Sequence, residues 1–295
     1  MFKSFLFFGL QSASFVLIYV SLSYNQKPML AFANAKINLG LHVTGKRADG
    51  YHNLETIFYP VKIYDVIETL DAEVLSCTIR GTDIPGDTKD NICLRAYHLL
   101  KNDFDLPPQH LCLLKNIPIG AGLGGGSADA AFLIKLLNEK FRLSLSNEQM
   151  EDYARKLGAD CAFFIRNEAV YAEGKGDEFS EVSIDLNEYF LVLVKPGIHV
   201  STAEAYDGIK PALPVTSLKD LIHLPLSDWK AELKNDFEAS VFLKYPEIEN
   251  IKNNLYHNGA IYASMSGSGS CVYAIFKSAV KLPELERTNK VFYNV

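Results

Sequence analysis

The segment Pro118-Ile119-Gly120-Ala121-Gly122-Leu123-Gly124-Gly125-Gly126-Ser127-Ala128-Asp129 sets five glycines in front of a serine. Glycine lets a backbone pass close to phosphate oxygens and turn several N–H groups to one side, and a helix starting behind it adds the partial positive charge of its N-terminus. The Ser127 hydroxyl can donate to a phosphate oxygen or ligate Mg2+. Pro118 to Ala128 therefore reads as a phosphate cradle, although glycines that only relieve crowding would look the same. By letter, Gly120-x-Gly122-x-x-Gly125 also fits a dinucleotide fingerprint. That motif needs a second parallel strand directly after the helix, ending in an acidic residue about 20 positions on. Here Phe141-Arg142-Leu143-Ser144 leads into another helix start. No Gly-x-x-x-x-Gly-Lys-Ser/Thr, His-Arg-Asp or Asp-Phe-Gly run occurs, which removes the ordinary P-loop enzymes and the usual protein kinases.

The elements around the loop follow from periodicity. From Ala33 to Val43 apolar residues alternate with Asn34, Lys36, Asn38, Gly40 and His42, the pattern of a half-buried strand with a polar face. A turn through Gly45 and Gly50, a second extended run over Tyr51 to Val61 and a third around Val66 to Leu70 predict an antiparallel sheet. Asp90 or Asn91 can cap a helix carrying Ile92, Ala96, Leu99 and Leu100, and Leu111 to Lys115 is a short buried strand. Ser127 to Lys140 has helix formers and an apolar stripe of Ala131, Leu133, Ile134 and Leu137. Ser146-Asn147-Glu148-Gln149 is a capping box whose helix is expected to end at a Gly158 cap. Strands are expected at Ala169 to Ala172 and Phe190 to Val194, a loop-rich surface from Lys210 to Ser227, and helices near Asp236 to Tyr245 and Pro246 to His257. The loop Ser266-Gly267-Ser268-Gly269-Ser270 then sits between two strands. Residues 29–185 are expected to form an N-terminal nucleotide-binding domain and 186–295 a C-terminal substrate-side domain.

Composition narrows the function classes. Lysine plus arginine number 29 against 35 aspartate plus glutamate, a net charge of -6 without a long basic run, which disfavours nucleic acid as a partner. Five scattered cysteines without a Cys-x-x-Cys pair, and histidines without zinc-ligand spacing, predict reduced thiols, a cytoplasmic setting and no structural metal. Phe5 to Leu22 is uncharged and apolar or small, resembling a signal-peptide core or a marginal membrane span. Since Met29 directly precedes the first strand, residues 1–28 are read as an extension upstream of the true start, with an anchor or a cleaved segment as alternatives.

Five motifs, taken in order, carry a resemblance: Ala35-Lys36-Ile37-Asn38-Leu39, Arg47-Ala48-Asp49-Gly50-Tyr51-His52, Pro118 to Ala128, Leu157-Gly158-Ala159-Asp160 and Ser266-Gly267-Ser268-Gly269. Together they resemble the GHMP superfamily of small-molecule kinases, over roughly Leu30 to Phe276. The resemblance implies an α+β, two-domain architecture: a ribosomal-protein-like N-terminal domain, a ferredoxin-like C-terminal domain, and an active site in the cleft. It implies ATP and Mg2+, with ATP bound over Pro118 to Ala128, and the branch resembled acts on an alcohol bearing a cytidine diphosphate group, 4-diphosphocytidyl-2-C-methyl-D-erythritol, at its 2-hydroxyl. It casts Asp160 as the catalytic carboxylate and Lys36 as its partner, with Asn38, Tyr51, His52 and Tyr206 on the substrate, Tyr51 and Tyr206 clamping the cytosine. By residue type alone, Lys36 reads rather as a solvated strand lysine, Asp160 as a loop carboxylate, and Tyr51 and His52 as surface side chains; the resemblance reverses the reading of Lys36 and Asp160. One position departs from the family: Ala162 stands where a proline usually shapes the turn after the aspartate. Rival readings are a mevalonate- or homoserine-type kinase, a nucleotide-binding protein without turnover and, last, a dinucleotide-dependent oxidoreductase.

Overall fold

The computed structural model describes residues 4–8, 16–20, 29–82 and 91–295. Strands β1 (Ser4–Phe8) and β2 (Val16–Val20) pair antiparallel with each other. Otherwise the expectation for residues 1–28 lies outside the described residues, as does the alternative cap Asp90. Among the described residues no helix is long and apolar enough to cross a membrane.

Two long strands organise the N-terminal half. β3 (Met29–Lys46) and β4 (His52–Asp71) pair antiparallel along almost their whole length, with register shifts at Asn34/Ala35, Asn38/Leu41 and Val43/Gly45. Such bulges bend and twist a ladder. On its other edge β4 pairs β6 (Gln109–Lys115) along one stretch and β7 (Val170–Glu173) along another. β5 (Ser76–Gly81) runs parallel to β6, and β8 (Glu178–Glu181) closes the sheet beyond β7. The second and third runs expected from sequence are thus one strand, because the shift near Asn34 absorbs the extra residues between Val61 and Tyr64 without ending the ladder.

Helices α1 (Ile92–Asp103), α2 (Gly125–Phe141), α3 (Asn147–Arg155) and α4 (Phe163–Arg166) join the core over this sheet through Ala96, Leu100, Leu133, Leu137, Ala154 and Phe164. Asn91 caps α1 by accepting the Cys93 N–H at 2.8 Å, and the Ser146/Gln149 capping box is formed, each such cap being worth about 1 kcal/mol. The end of α3 differs from expectation. Its cap is Lys156 in a right-handed conformation, and Gly158 is extended (φ 176°), opening a short 3-10 turn over Ala159–Cys161.

The C-terminal half is a four-stranded antiparallel sheet, β10 (Tyr262–Met265), β11 (Val272–Phe276), β9 (Phe190–Pro196) and β12 (Asn289–Tyr293), in that spatial order. Chain order between β9 and β10 supplies α5 (Thr202–Asp207), α6 (Leu218–Leu221), α7 (Trp229–Glu232), α8 (Phe237–Lys244) and α9 (Pro246–His257). Alternation sorts the faces of β11. Tyr273 and Ile275 join the core shared with β3, whereas Val272, Ala274 and Phe276 pack with Phe237, Val241, Ile248 and Ile251 of α8 and α9. The stretch expected to be loop-rich surface contains α6, whose Leu218 and Leu221, with Ile222 just beyond, enter the shared core, while Glu55 accepts the Leu218 N–H at 3.0 Å.

From Ala33 to Leu41 β3 is buried on both sides. Ala35, Ile37 and Leu39 pack against Leu191, Leu193 and Tyr273 of the C-terminal sheet. The face expected to be solvated is covered too: Lys36 is 4% exposed and Asn38 2%, because helix α2 and the glycine-rich segment lie across it.

Candidate active site

Lys36 and Asp160 lie 124 positions apart in the chain and meet with Nζ to Oδ2 at 3.4 Å. The same ammonium donates to Asn38 Oδ1 at 2.7 Å. Asn38 Nδ2 in turn donates to the Thr56 hydroxyl at 2.9 Å, and that hydroxyl donates to the Gly40 carbonyl at 2.6 Å. Each donor and acceptor in this row has one compatible partner, so the Asn38 amide orientation is fixed and Lys36 is held from behind. The Phe58 ring lies 4.9 Å from the ammonium, and the Lys36 N–H donates to the Leu123 carbonyl at 3.0 Å, tying strand to loop. Asp160 is the more open partner, with a side chain 36% exposed.

Ala162, where the resemblance implies a proline, has φ −63° and ψ −31°. That φ is the one a proline ring imposes, so the turn keeps its shape without the ring. Burial pushes the neighbouring Cys161 thiol up to about 11, with the Ser127 hydroxyl beside it working the other way. Cys161 therefore stays a neutral packing group under the loop exit.

The glycine-rich segment runs from β6 to α2 as expected. Gly120, Gly122 and Gly124 adopt left-handed φ of 59°, 75° and 70°. Two of them also have no room for a side chain: a Cβ on Gly122 would strike the Ser266 carbonyl, and one on Gly120 the His199 ring. The Ser266 hydroxyl donates to the Gly122 carbonyl at 2.8 Å, so the Ser266 to Ser270 loop is docked on the glycine-rich segment. Helix α2 begins at Gly125 and leads on to α3, so the dinucleotide-type crossover is not formed.

These parts wall one cavity of about 390 Å3, lined by Lys36, Asn38, Thr56, Phe58, Gly120, Gly122, Gly124, Asp160, His199, Tyr206, Phe237 and Ser268, among others. Asn38, expected to contact substrate, lines it with its amide committed to Lys36 and Thr56. Tyr206, on the short helix α5 capped by Ser201, stacks on His52 with centroids 4.6 Å apart and planes 16° off parallel, and meets Phe237 edge-on at 4.8 Å. Burial, then the Asp160 carboxylate, raises the Tyr206 phenol above its ordinary value.

Tyr51 is not part of this stack. It is 63% exposed at the turn before β4, with Lys175 5.3 Å from its ring centre, and the ring stacked on Tyr206 is that of His52. The reason is local: Gly50 at φ 86° and the Asp49 carboxylate accepting the Tyr51 N–H at 3.1 Å hold Tyr51 at the apex of the turn. Sequence reasoning missed His199, Thr56, Phe237 and Thr202. A lone histidine just beyond Pro196-Gly197 carries no spacing signal, and its closeness to Gly120 appears only in three dimensions.

The GHMP kinases N terminal domain profile matches residues 91–168, and the GHMP kinases C terminal profile matches residues 217–293. A Bacteroides fragilis protein named 4-diphosphocytidyl-2-C-methyl-D-erythritol kinase is 53% identical over 262 residues, 88% of this chain and 96% of its own. The chain belongs to the GHMP kinase family. A Cytophaga hutchinsonii relative of the same name is also 53% identical to this kinase, over 251 residues, 85% of this chain and 93% of its own. A crystal structure of 4-(cytidine 5'-diphospho)-2C-methyl-D-erythritol kinase superposes with a TM-score of 0.72 at 27% identity, covering 90% of this chain and 98% of that one. Homoserine kinase from Cytophaga hutchinsonii superposes at 0.69 with 14% identity, a likeness of fold alone. The GHMP kinase is thus a two-domain α+β enzyme and a small-molecule phosphotransferase.

Proposed function

We propose that this kinase transfers the γ-phosphoryl group of ATP to the 2-hydroxyl of 4-diphosphocytidyl-2-C-methyl-D-erythritol, in the cytoplasm, as a step of isoprenoid precursor synthesis by the non-mevalonate route. The observation that carries the mechanism is the meeting of Lys36, Asp160, the glycine-rich loop and Tyr206 around one cavity. Asp160 is open enough to accept the proton of an acceptor hydroxyl, with the Lys36 ammonium 3.4 Å from its Oδ2 to orient it. Lys36, aimed by Asn38 and Thr56, also faces the phosphoryl oxygens on which charge is redistributed in transfer. The N–H groups of Gly120 to Ser127 and the start of α2 hold the phosphates of ATP.

Among the described residues no three His, Cys, Asp or Glu side chains gather as a metal set. Mg2+ carried in on the nucleotide needs only one or two protein ligands, the rest being phosphate oxygen and water. Ser127 would supply a hydroxyl ligand, and the ion would neutralise phosphoryl charge.

The flat face of Tyr206 is the stacking surface for the cytosine, with His52 offering an edge donor once the base displaces its ring. Tyr51 stands at the mouth as a second face that closes on the bound base. The relatives' printed names support this acceptor over mevalonate or homoserine, whose kinases share the fold at 14–18% identity. Phosphorus NMR of enzyme, ATP and the cytidyl alcohol tests the reading. A new phosphomonoester should grow in step with ADP, and release of inorganic phosphate alone would refute it.

A further inference from the structure

Beneath the glycine-rich loop lies a charged cluster that the chemistry above does not use. Lys115, the last residue of β6, is 2% exposed, and its ammonium donates to both Asp65 Oδ2 on β4 and Asp129 Oδ2 on α2. Asp65 is fully buried. Its other oxygen, Oδ1, accepts the backbone N–H groups of Asn116 at 2.6 Å and Ile117 at 2.8 Å, the two residues that lead into the loop. At the far stem, Gly125 opens α2 directly against this point. A Cβ there would meet Ile117 Cγ2 at 2.9 Å and Asp65 Oδ2 at 3.5 Å.

Both stems of the loop therefore converge on one buried ion cluster. Three charges sealed from water are costly unless each is paired, so apolar packing would fill the same space at least as stably. What a lysine between two carboxylates adds over apolar side chains is direction. Its donors fix the angle between β6 and α2, and Asp65 fixes the first two amides of the loop. Asp129 Oδ1 finds no hydrogen-bond partner among the described residues, so the contact from Lys115 to Oδ2 is the hydrogen bond that orients this carboxylate.

We propose that Lys115, clamped between Asp65 and Asp129, is a positioning residue for phosphate binding: it sets the two stems of the glycine-rich loop so that the loop's amides converge on the ATP phosphates. Lys115 touches neither ATP nor the acceptor through its ammonium. It acts through the loop. The inference rests on the reading that ATP occupies the loop, and wild-type turnover measured alongside separates failure of that reading from failure of this one.

The test is steady-state kinetics together with thermal melting of the full chain. Lys115→Met should raise KM for ATP about 10-fold or more with kcat and acceptor KM changed less than about 3-fold, and should lower Tm. The double variant Lys115→Met/Asp129→Leu removes one of the two stranded carboxylates, leaving Asp65 with the two backbone N–H groups on its Oδ1, and should recover part of the lost Tm. The proposal requires that its KM for ATP stay high even so, because the apolar pair restores packing but not the clamp. Return of KM to the wild-type value as Tm recovers would overturn the proposal and leave the cluster a plain stability element. Should Lys115→Met fail to fold, Asp129→Asn keeps the shape and leaves Lys115 one carboxylate. It should raise KM for ATP about 2-fold to 5-fold, and an unchanged value would overturn the proposal equally.

Discussion

Two lysines flank the glycine-rich loop, each paired with aspartate, and they differ in what surrounds the pair. Lys36 meets a single carboxylate whose side chain is 36% exposed to the cavity, and a row of neutral groups, Asn38, Thr56 and the Gly40 carbonyl, aims it. Lys115 meets two carboxylates, and none of the three side chains is more than 4% exposed. An open pair can exchange a proton and accept a ligand. A sealed cluster, closed to any ligand, holds geometry. The difference locates chemistry at Lys36 and Asp160 and architecture at Lys115, Asp65 and Asp129, although the residue types are the same.

The comparison breaks first at the open pair. Asp160→Asn should lower kcat by about 10^2 to 10^4, the range for a lost general base, with KM for ATP nearly unchanged, and Lys36→Met should do likewise. Near-normal turnover in initial-rate assays of either variant would remove that residue from the mechanism. Next in size is the base-stacking surface. Tyr206→Leu should raise acceptor KM about 5-fold to 150-fold at constant ATP KM, since stacking on an aromatic is worth roughly 1 to 3 kcal/mol. Tyr51→Leu should have the smaller effect, because Tyr51 must first leave its exposed place at the turn. The reverse order would make Tyr51 the principal stacking face.

The sealed cluster makes a prediction about pH. Burial first, and then the Asp65 charge, raise Asp129 from 3.8 to about 7 against the opposing pull of Lys115. A carboxyl raised in this way binds its proton more tightly folded than unfolded. Its contribution to stability is fully present below about pH 4 and is lost as pH rises through about 7. The amide introduced by Asp129→Asn cannot ionise, so the Tm difference between variant and wild type should move in the variant's favour from pH 5 to pH 8. A difference that is constant across that range would contradict the account. The smallest effect belongs to Ala162→Pro, which should change stability by no more than about 1 kcal/mol and kcat less than about 2-fold, since φ already suits proline. A larger loss would mean that the turn holding Asp160 depends on features other than its backbone angle.

Much of this was legible in local pattern. Alternation in β3 put Ala35, Ile37 and Leu39 on one face and Lys36 and Asn38 on the other, and the glycines, the Asn91 cap and the Ser146 capping box act within a few residues of themselves. What was illegible is long-range. Asp65 and Lys115 stand 50 positions apart with no motif joining them, and His52 meets Tyr206 only because α5 folds back over the end of β4. Alternation also says nothing about whether a polar face meets water or the rest of the chain, so the burial of Lys36 could not be read from it. Nor does adjacency of Tyr51 to His52 say which ring meets Tyr206 when no base lies between them: here it is His52.

The most direct measurement is ADP release by the purified enzyme across 4-diphosphocytidyl-2-C-methyl-D-erythritol, methylerythritol phosphate, mevalonate and homoserine at matched concentrations. The account predicts that kcat/KM for the cytidyl alcohol exceeds each of the others by at least about 100-fold, the worth of a stacked base plus its edge contact. Equal turnover of mevalonate or homoserine, or of methylerythritol phosphate without a base to stack, would contradict it.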